Sequence, residues 1–335
     1  MRRQAPPGVA RMPWADAPAG SPTTDPEGRF GVVGLGQMAL ALLLPLIDAG
    51  LIDPAQVRAA VASPASARRL AADHGLVVAT DAAAAWRCST VLLAVKPQQL
   101  DAVAAAFVAA GPIQGASEGP AATADRDGAG LAADGPAATG GAATVGDGSG
   151  AQAADNTPAP LLISVLAGVR LERLQRLFPG WRCVRAVPNT PALVGAGLTG
   201  LAWGEGIDPE RRAWVRRLFE RVGEVLELPE GQLDPFLALT SSGPAFLALV
   251  AEAMADGAVA AGLPRAQAQH LAHRTMAGTA ALLQGRELHP GQLKDMVSSP
   301  AGTTIAGLRQ LERCGLRSAL LEAVLAAAQR SRELG

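Results

Sequence analysis

The sequence predicts a doubly wound α/β domain with a mostly parallel sheet, followed by an all-α domain. Three observations predict this. From Arg29 to residue 229, short apolar runs alternate with segments of helical period, the pattern of strands buried on both faces and joined by crossover helices. At Gly34-Leu35-Gly36-Gln37-Met38-Ala39 a strand turns into a helix through two glycines and a small residue. Beyond Leu233 the strand-like runs stop and helical segments follow. The expected division is an extension over 1–28, an α/β domain over 29–229 interrupted by a low-complexity insert at 111–160, and a helical domain over 230–335.

Each element has its own reason. Phe30–Val33 is short and apolar, as a buried parallel strand should be, and Met38–Ala49 is a helical run that ends at Gly50. Val57–Ala62 is the second strand, Ser66–Asp73 a helix, Leu76–Ala79 the third strand and Thr90–Val95 the fourth. Gln98–Ala110 is helical. Residues 111–160 are mostly Gly, Ala, Asp, Thr and Pro. Such a segment buries too little apolar surface to offset its ordering entropy, so a disordered loop is expected. Leu161–Val165 resumes the sheet, which places the insert inside the domain. A helix at Leu171–Leu177, strands near Arg182–Ala186 and Thr199–Ala202, a helix at Pro209–Val222 and a strand at Val225–Leu228 complete it. Helices are expected at Pro235–Ala261, Pro264–Leu283, Thr303–Glu312 and Leu316–Glu333. The first of these is apolar nearly all round, with Glu252 and Asp256 four apart on one face. A helix of that kind is buried on most sides, and a subunit interface would bury it.

Composition narrows the function. Charged residues make up 18% of the 335 and the net charge is −1, so no field is expected that would gather nucleic acid or an anionic membrane surface. Lysine occurs only at Lys96 and Lys294, a bias that reads as codon usage. Cys88, Cys183 and Cys314 share no metal or redox spacing, and His74, His270, His273 and His289 form no ligand set. No metal is expected, and the cysteines read as reduced structural thiols. No apolar run is read as reaching transmembrane length, and residues 1–28 lack the apolar segment of a secretion signal. The expected location is cytoplasmic.

Two sites stand out. In the Gly34–Ala39 turn the first glycine permits the tight bend, the second lets backbone approach a pyrophosphate, and Ala39 lets the helix pack on the sheet. This is the dinucleotide-binding Rossmann pattern. The second strand ends Val61-Ala62-Ser63, followed by Arg68 and Arg69, without the carboxylate that holds the ribose diol of NAD. NADPH is therefore the expected cofactor, with NADH also usable. The second site is Ser298-Ser299-Pro300-Ala301-Gly302-Thr303-Thr304, which runs into a helix at Ile305, Leu308 and Leu311. Backbone N–H groups at such a helix start lack intrahelical partners and favour an anion of carboxylate size. The bland alternative is that Thr303 and Thr304 only cap the helix.

Together these motifs resemble the pyrroline-5-carboxylate reductase family. The resemblance rests on GVVGLGQMALAL (31–42), LLAVKPQQL (92–100), RAVPNTPALVGAGLTGL (185–201), the long run at 239–268, and HPGQLKDMVSSPAGTTIAGL (289–308). It implies a Rossmann domain, a helical C-terminal dimerisation domain that intertwines with a second copy, and further assembly, for example into a decamer. It also implies NAD(P)H-dependent reduction of Δ1-pyrroline-5-carboxylate to L-proline, a small-molecule substrate. Carried over residue by residue, substrate binding falls on Val297, Ser299, Gly302, Thr303 and Thr304. Cofactor binding falls on Gly34, Gly36, Gln37, Met38, Ala39, Ser63, Ala94, Val95, Lys96, Pro97 and Ala167. Thr304 is the expected catalytic hydroxyl, contacting the ring nitrogen. Lys96 reads as a backbone contact or a charge beside the phosphates, and Lys294 with Asp295 as a helix-end pair. This chain has Ser241-Ser242-Gly243-Pro244-Ala245-Phe246, Pro300-Ala301-Gly302 and Val187-Pro188-Asn189 where the family usually has Gly-Ser-Gly-Pro-Ala-Tyr, Pro-Gly-Gly and Met-Pro-Asn. The Cβ of Ala301 is expected to narrow the loop or restrict its φ. A hydroxyacid dehydrogenase would need a catalytic lysine on a helix, and neither lysine is placed for it. A non-catalytic NADP sensor would have no use for the anion loop.

Overall fold

The computed structural model describes residues 29–109 and 158–334. The expected extension at 1–28 and all but the last three residues of the insert lie outside these. Eight strands form one sheet in the order β3-β2-β1-β4-β5-β6-β7-β8. They are β1 (Phe30–Val33), β2 (Val57–Ala60), β3 (Val77–Ala79), β4 (Thr90–Leu93), β5 (Leu161–Ser164), β6 (Arg182–Pro188), β7 (Gly197–Trp203) and β8 (Gly223–Glu227). Every pairing is parallel except β6 with β7. β1, β4 and β5 are buried on both faces, which is why they read as unbroken apolar runs.

The strand period of two divides those runs between two cores. Val32, Leu92, Leu161 and Ile163 face α1 (Gln37–Asp48), α2 (Pro64–His74) and α6 (Pro209–Glu220). Val33, Leu93 and Leu162 face α3 (Ala83–Trp86), α4 (Leu100–Ala109) and α5 (Leu171–Leu177). On this second side Trp86 is the hub of an aromatic cluster. Its ring lies 5.1 Å from Phe107, 5.3 Å from Phe178 and 5.7 Å from Trp181. Beside it, burial pushes the Cys183 thiol up to about 12.

After β8 the chain is helical: α7 (Leu233–Thr240), α8 (Gly243–Ala260), α9 (Arg265–Gly285), α10 (Pro290–Val297), α11 (Thr303–Arg313) and α12 (Leu316–Leu334). The long helix expected at Pro235–Ala261 is two helices. The Ser241 and Ser242 N–H groups both bond to Leu237 O, closing α7, and Pro244 opens the first turn of α8. α10 was implied only by the reading of Lys294 and Asp295 as a helix-end pair, with no range expected for it. Its cap is His289, whose Nδ1 accepts from Gly291 N–H while its own N–H bonds to Gln292 Oε1. Histidine is outside the usual N-cap set, so the signal was invisible. Lys294 and Asp295 do not pair: adjacent helical residues do not face each other, and the charge of Lys294 instead bears on Glu312. The reading that no run reaches transmembrane length is also corrected. The 31-residue stretch Glu230–Ala260 is long and apolar enough, although the Ser241–Ser242 break interrupts it.

α8 packs on α9 through Ala255, Ala268 and Ala272. Its other side is bare: Leu247 and Leu249 are 55% and 67% exposed in the single chain.

Phe178→Ala should lower stability by about 3–5 kcal/mol in denaturant unfolding, because the cluster cannot collapse around the void. The unfolded Cys183 thiol ionises near 9.0 and the folded one only near 12. Stability should therefore be full below pH 9 and fall across that window. At pH 8 a thiol reagent should label exposed Cys314 and spare buried Cys183 until the protein is denatured.

Candidate active site

The site begins where β1 stops. Gly34 has φ +92°, and a Cβ there would lie 2.7 Å from the Ala94 carbonyl and from Val95 N. Only glycine lets β1 turn this close to the end of β4. A Cβ on Gly36 would meet nothing within 4 Å, so the backbone there is open to an incoming group. α1 starts at Gly36 with no side-chain cap, leaving its first N–H groups for a ligand. Ala39 is fully buried and seats α1 on the sheet.

The strand order reverses direction between β1 and β4, the place where doubly wound sheets bind ligands at the carboxyl ends of their strands. A cavity of about 690 Å³ lies there. Of the expected cofactor residues, Gly34, Gly36, Ala94, Val95 and Lys96 line it. Gln37, Met38, Ala39, Ser63, Pro97 and Ala167 do not. Ser63 is engaged as the N-cap of α2: its Oγ accepts from Ser66 N–H at 3.2 Å and donates to Ser66 Oγ at 2.9 Å. Ser66 and Arg69, one helical turn apart, reach the cavity wall, and Arg68 does not. Asp81 also lines it, but its carboxylate accepts from Ala83 N–H. Lys96 is exposed at the start of a 3-10 turn, and its N–H bonds to Gln99 Oε1 at 3.3 Å.

The expected anion loop connects α10 to α11. Gly302 N–H bonds to Ser299 O at 3.0 Å. A Cβ on Gly302 would collide with Ser299 Oγ. Gly302 is the N-cap of α11 and supplies no side chain, so Thr303 and Thr304 are first-turn residues rather than caps. The helix start is thus uncapped, as an anion site requires. Ala301 sits at φ +55°, the strained region anticipated for its Cβ. Ser298 Oγ is buried without a partner. Residues 297–304 contain no titratable side chain, and none of them lines the cavity. A single chain does not bring the two sites together in one pocket. Among the described residues no group of His, Cys, Asp and Glu could hold a metal.

Asn189, which the sequence did not single out as functional, is 4% exposed at the end of β6. Its Oδ1 accepts from Leu198 N–H at 2.8 Å and its Nδ2 donates to Thr240 O at 2.9 Å. It thereby ties the sheet to the α7–α8 break. An Asn-Thr-Pro turn signal after a strand was the only sequence trace of it.

Comparison with known proteins places the chain in a family. The family described as pyrroline-5-carboxylate reductase dimerisation matches residues 230–334, and NADP oxidoreductase coenzyme F420-dependent matches 29–114. A pyrroline-5-carboxylate reductase of a Synechocystis strain is 42% identical over 310 residues, covering 92% of this chain and 98% of the relative. One from Methanosarcina acetivorans is 35% identical over 309 residues, with the same coverage. The solved pyrroline-5-carboxylate reductase of Coxiella burnetii superposes with a TM-score of 0.70 at 27% identity, over 92% of this chain and 99% of that one. The chain belongs to the pyrroline-5-carboxylate reductase family.

Proposed function

We propose that the chain reduces Δ1-pyrroline-5-carboxylate to L-proline with NADPH, as the names of its relatives indicate for them. One observation carries the reading: similarity at 42% identity that runs the whole length of a reductase. The cavity beside the Gly34 turn fits the adenosine and pyrophosphate part of a dinucleotide. Its glycines leave room for pyrophosphate, and Ser66 and Arg69 offer donors to a 2′-phosphate. When bound, the reduced nicotinamide supplies the hydride.

The chain's own residues supply placement. The backbone N–H groups of Thr303 and Thr304 at the uncapped start of α11 hold the substrate carboxylate. Val297, Ser299 and Gly302 shape that loop. The Thr304 hydroxyl contacts the ring nitrogen. No strong acid is needed, because the imine is basic enough to arrive protonated, and residues 297–304 offer none. Fixing the imine carbon against the hydride donor is then the main source of rate.

The chain works as a homo-oligomer. Leu247, Leu249, Leu321 and Leu325 are more than half exposed in the single chain, and a second copy is the natural cover for the family's dimerisation region. A homodimer, built further into a particle such as a decamer, is the proposed assembly. Three free thiols accord with a cytoplasmic setting.

Purified protein should oxidise NADPH when given Δ1-pyrroline-5-carboxylate; no turnover would sink the reading. Thr304→Ala should cut kcat by about tenfold to hundredfold, the worth of one hydrogen bond accepted from the charged iminium N–H, and a wild-type rate would refute its role. Arg69→Gln should cut the NADPH-over-NADH preference by about tenfold or more, the worth of one charge-assisted hydrogen bond.

A further inference from the structure

We propose that the last turn of α12 is a positioning element for the reacting end of the bound dinucleotide, acting through the β5–α5 loop, residues 165–170. The inference rests on the cofactor reading above. The cavity takes residues from the ends of β1, β2 and β4, from the Thr80–Ala82 segment after β3 and from α4, and none from the chain after β5, so it serves the adenosine side. A dinucleotide crossing the switch point between β1 and β4 continues over the carboxyl ends of β4 and its neighbour β5. The loop that follows β5 therefore lies under the other half.

The helical region grips that loop at two points. Gly168 has φ +76°, and a Cβ on it would lie 2.8 Å from Leu334 Cβ and 3.1 Å from Ser331 O. The backbone of the last α12 turn is thus seated directly on the loop. At the loop's far end, Leu171 N–H donates to Glu230 Oε1 at 2.6 Å. One chain of polar contacts joins the two grips. Ser331 Oγ donates to Asp234 Oδ1 at 2.8 Å, and Arg185 donates to that same oxygen at 3.2 Å and to Glu230 Oε1 at 3.3 Å. Ser331 and Arg185 are 3% and 1% exposed, so water does not loosen the chain. Within the loop only Ala167 and Arg170 are exposed, and Ala167, directly beside the Gly168 grip, is the crest left to face the ligand. Ser331 and Leu334 touch no reacting atom. They set how high that crest stands.

The test uses the full-length oligomer, Ser331→Ala, Ser331→Thr, and a variant ending at Arg332. Calorimetry compares NADPH with 2′-phospho-ADP-ribose, which lacks the nicotinamide. In Ser331→Ala the Kd for NADPH should rise by about fivefold, the worth of one hydrogen bond, and in the shortened chain, which loses the Leu334 seat on Gly168, it should rise as well. Affinity for the fragment should stay at the wild-type value, and Ser331→Thr should restore NADPH binding. Equal losses for the two ligands, or a lowered Tm with unchanged NADPH affinity, would overturn the proposal and leave a structural role only. The shortened chain keeps the Ser331 hydroxyl, so it decides the matter if Ser331→Ala does not fold. Wild-type protein that binds NADPH but leaves Δ1-pyrroline-5-carboxylate unreduced would remove the substrate reading and leave this result standing. Failure to bind NADPH would overturn both.

Discussion

A guanidinium buried in a sheet is the constraint on which much else depends. Arg185 lies in the middle of β6 and is 1% exposed. Its charge is tolerable there only with carboxylates at hand. Both come from the chain after β8, Glu230 at 3.3 Å and Asp234 at 3.2 Å. Removing one partner of such a buried set costs about 3–5 kcal/mol, because the remaining charge stays in place unpaired. The satisfaction is incomplete even so, since Arg185 Nε has no partner. The sheet and the start of the helical region are therefore not independent. The α/β layer reaches a satisfied state only after α7 has docked, and α7 in turn packs on α12. By contrast, exposed pairs such as Arg330 with Glu333 are each worth little.

The parts of the fold that were legible in the sequence are those that obey one strong rule. β1, β4 and β5 are buried on both faces and could hardly be read otherwise. The Gly34 turn is legible because a positive φ beside a neighbouring strand leaves one residue type possible. What escaped depended on tertiary partners or uncommon caps. The Ser241–Ser242 break hides inside a run whose composition says helix throughout, and Asn189 and Ser241 hold it from β6 by bonds 51 and 53 residues long in sequence. The role of Arg185 was likewise invisible: an arginine in a strand signals nothing until its carboxylates are known.

The two halves of the candidate site differ in the same way. Near Gly34 the backbone alone makes the cradle, so a motif is enough to find it. Which side chain reaches the ribose depends on the angle of α2, and there the geometry shifts attention from Ser63, busy as a cap, to Ser66 and Arg69. In the α10–α11 loop, Gly302 leaves the helix start uncapped, while Ala301 holds a conformation that L-residues disfavour by roughly 1–2 kcal/mol. A loop that keeps such strain is held by its surroundings, and bound anion would repay part of that cost by filling the free N–H groups.

The exposed face of the helical region carries the argument to the assembly. Full burial of one leucine is worth about 1.5–3 kcal/mol, and association costs on the order of 4–15 kcal/mol in lost freedom. Leu247, Leu249, Leu321 and Leu325 together are enough to reach that range in one chain, and a two-fold interface counts each of them twice. The anion loop joins α10 to α11, and Val297 and Ile305 are exposed on either side of it. A second copy that covered Val297 and Ile305 would dry the surroundings of the uncapped helix start. In a drier setting the attraction between its N–H groups and a carboxylate grows. A second copy seated there would make assembly and anion binding draw on one surface.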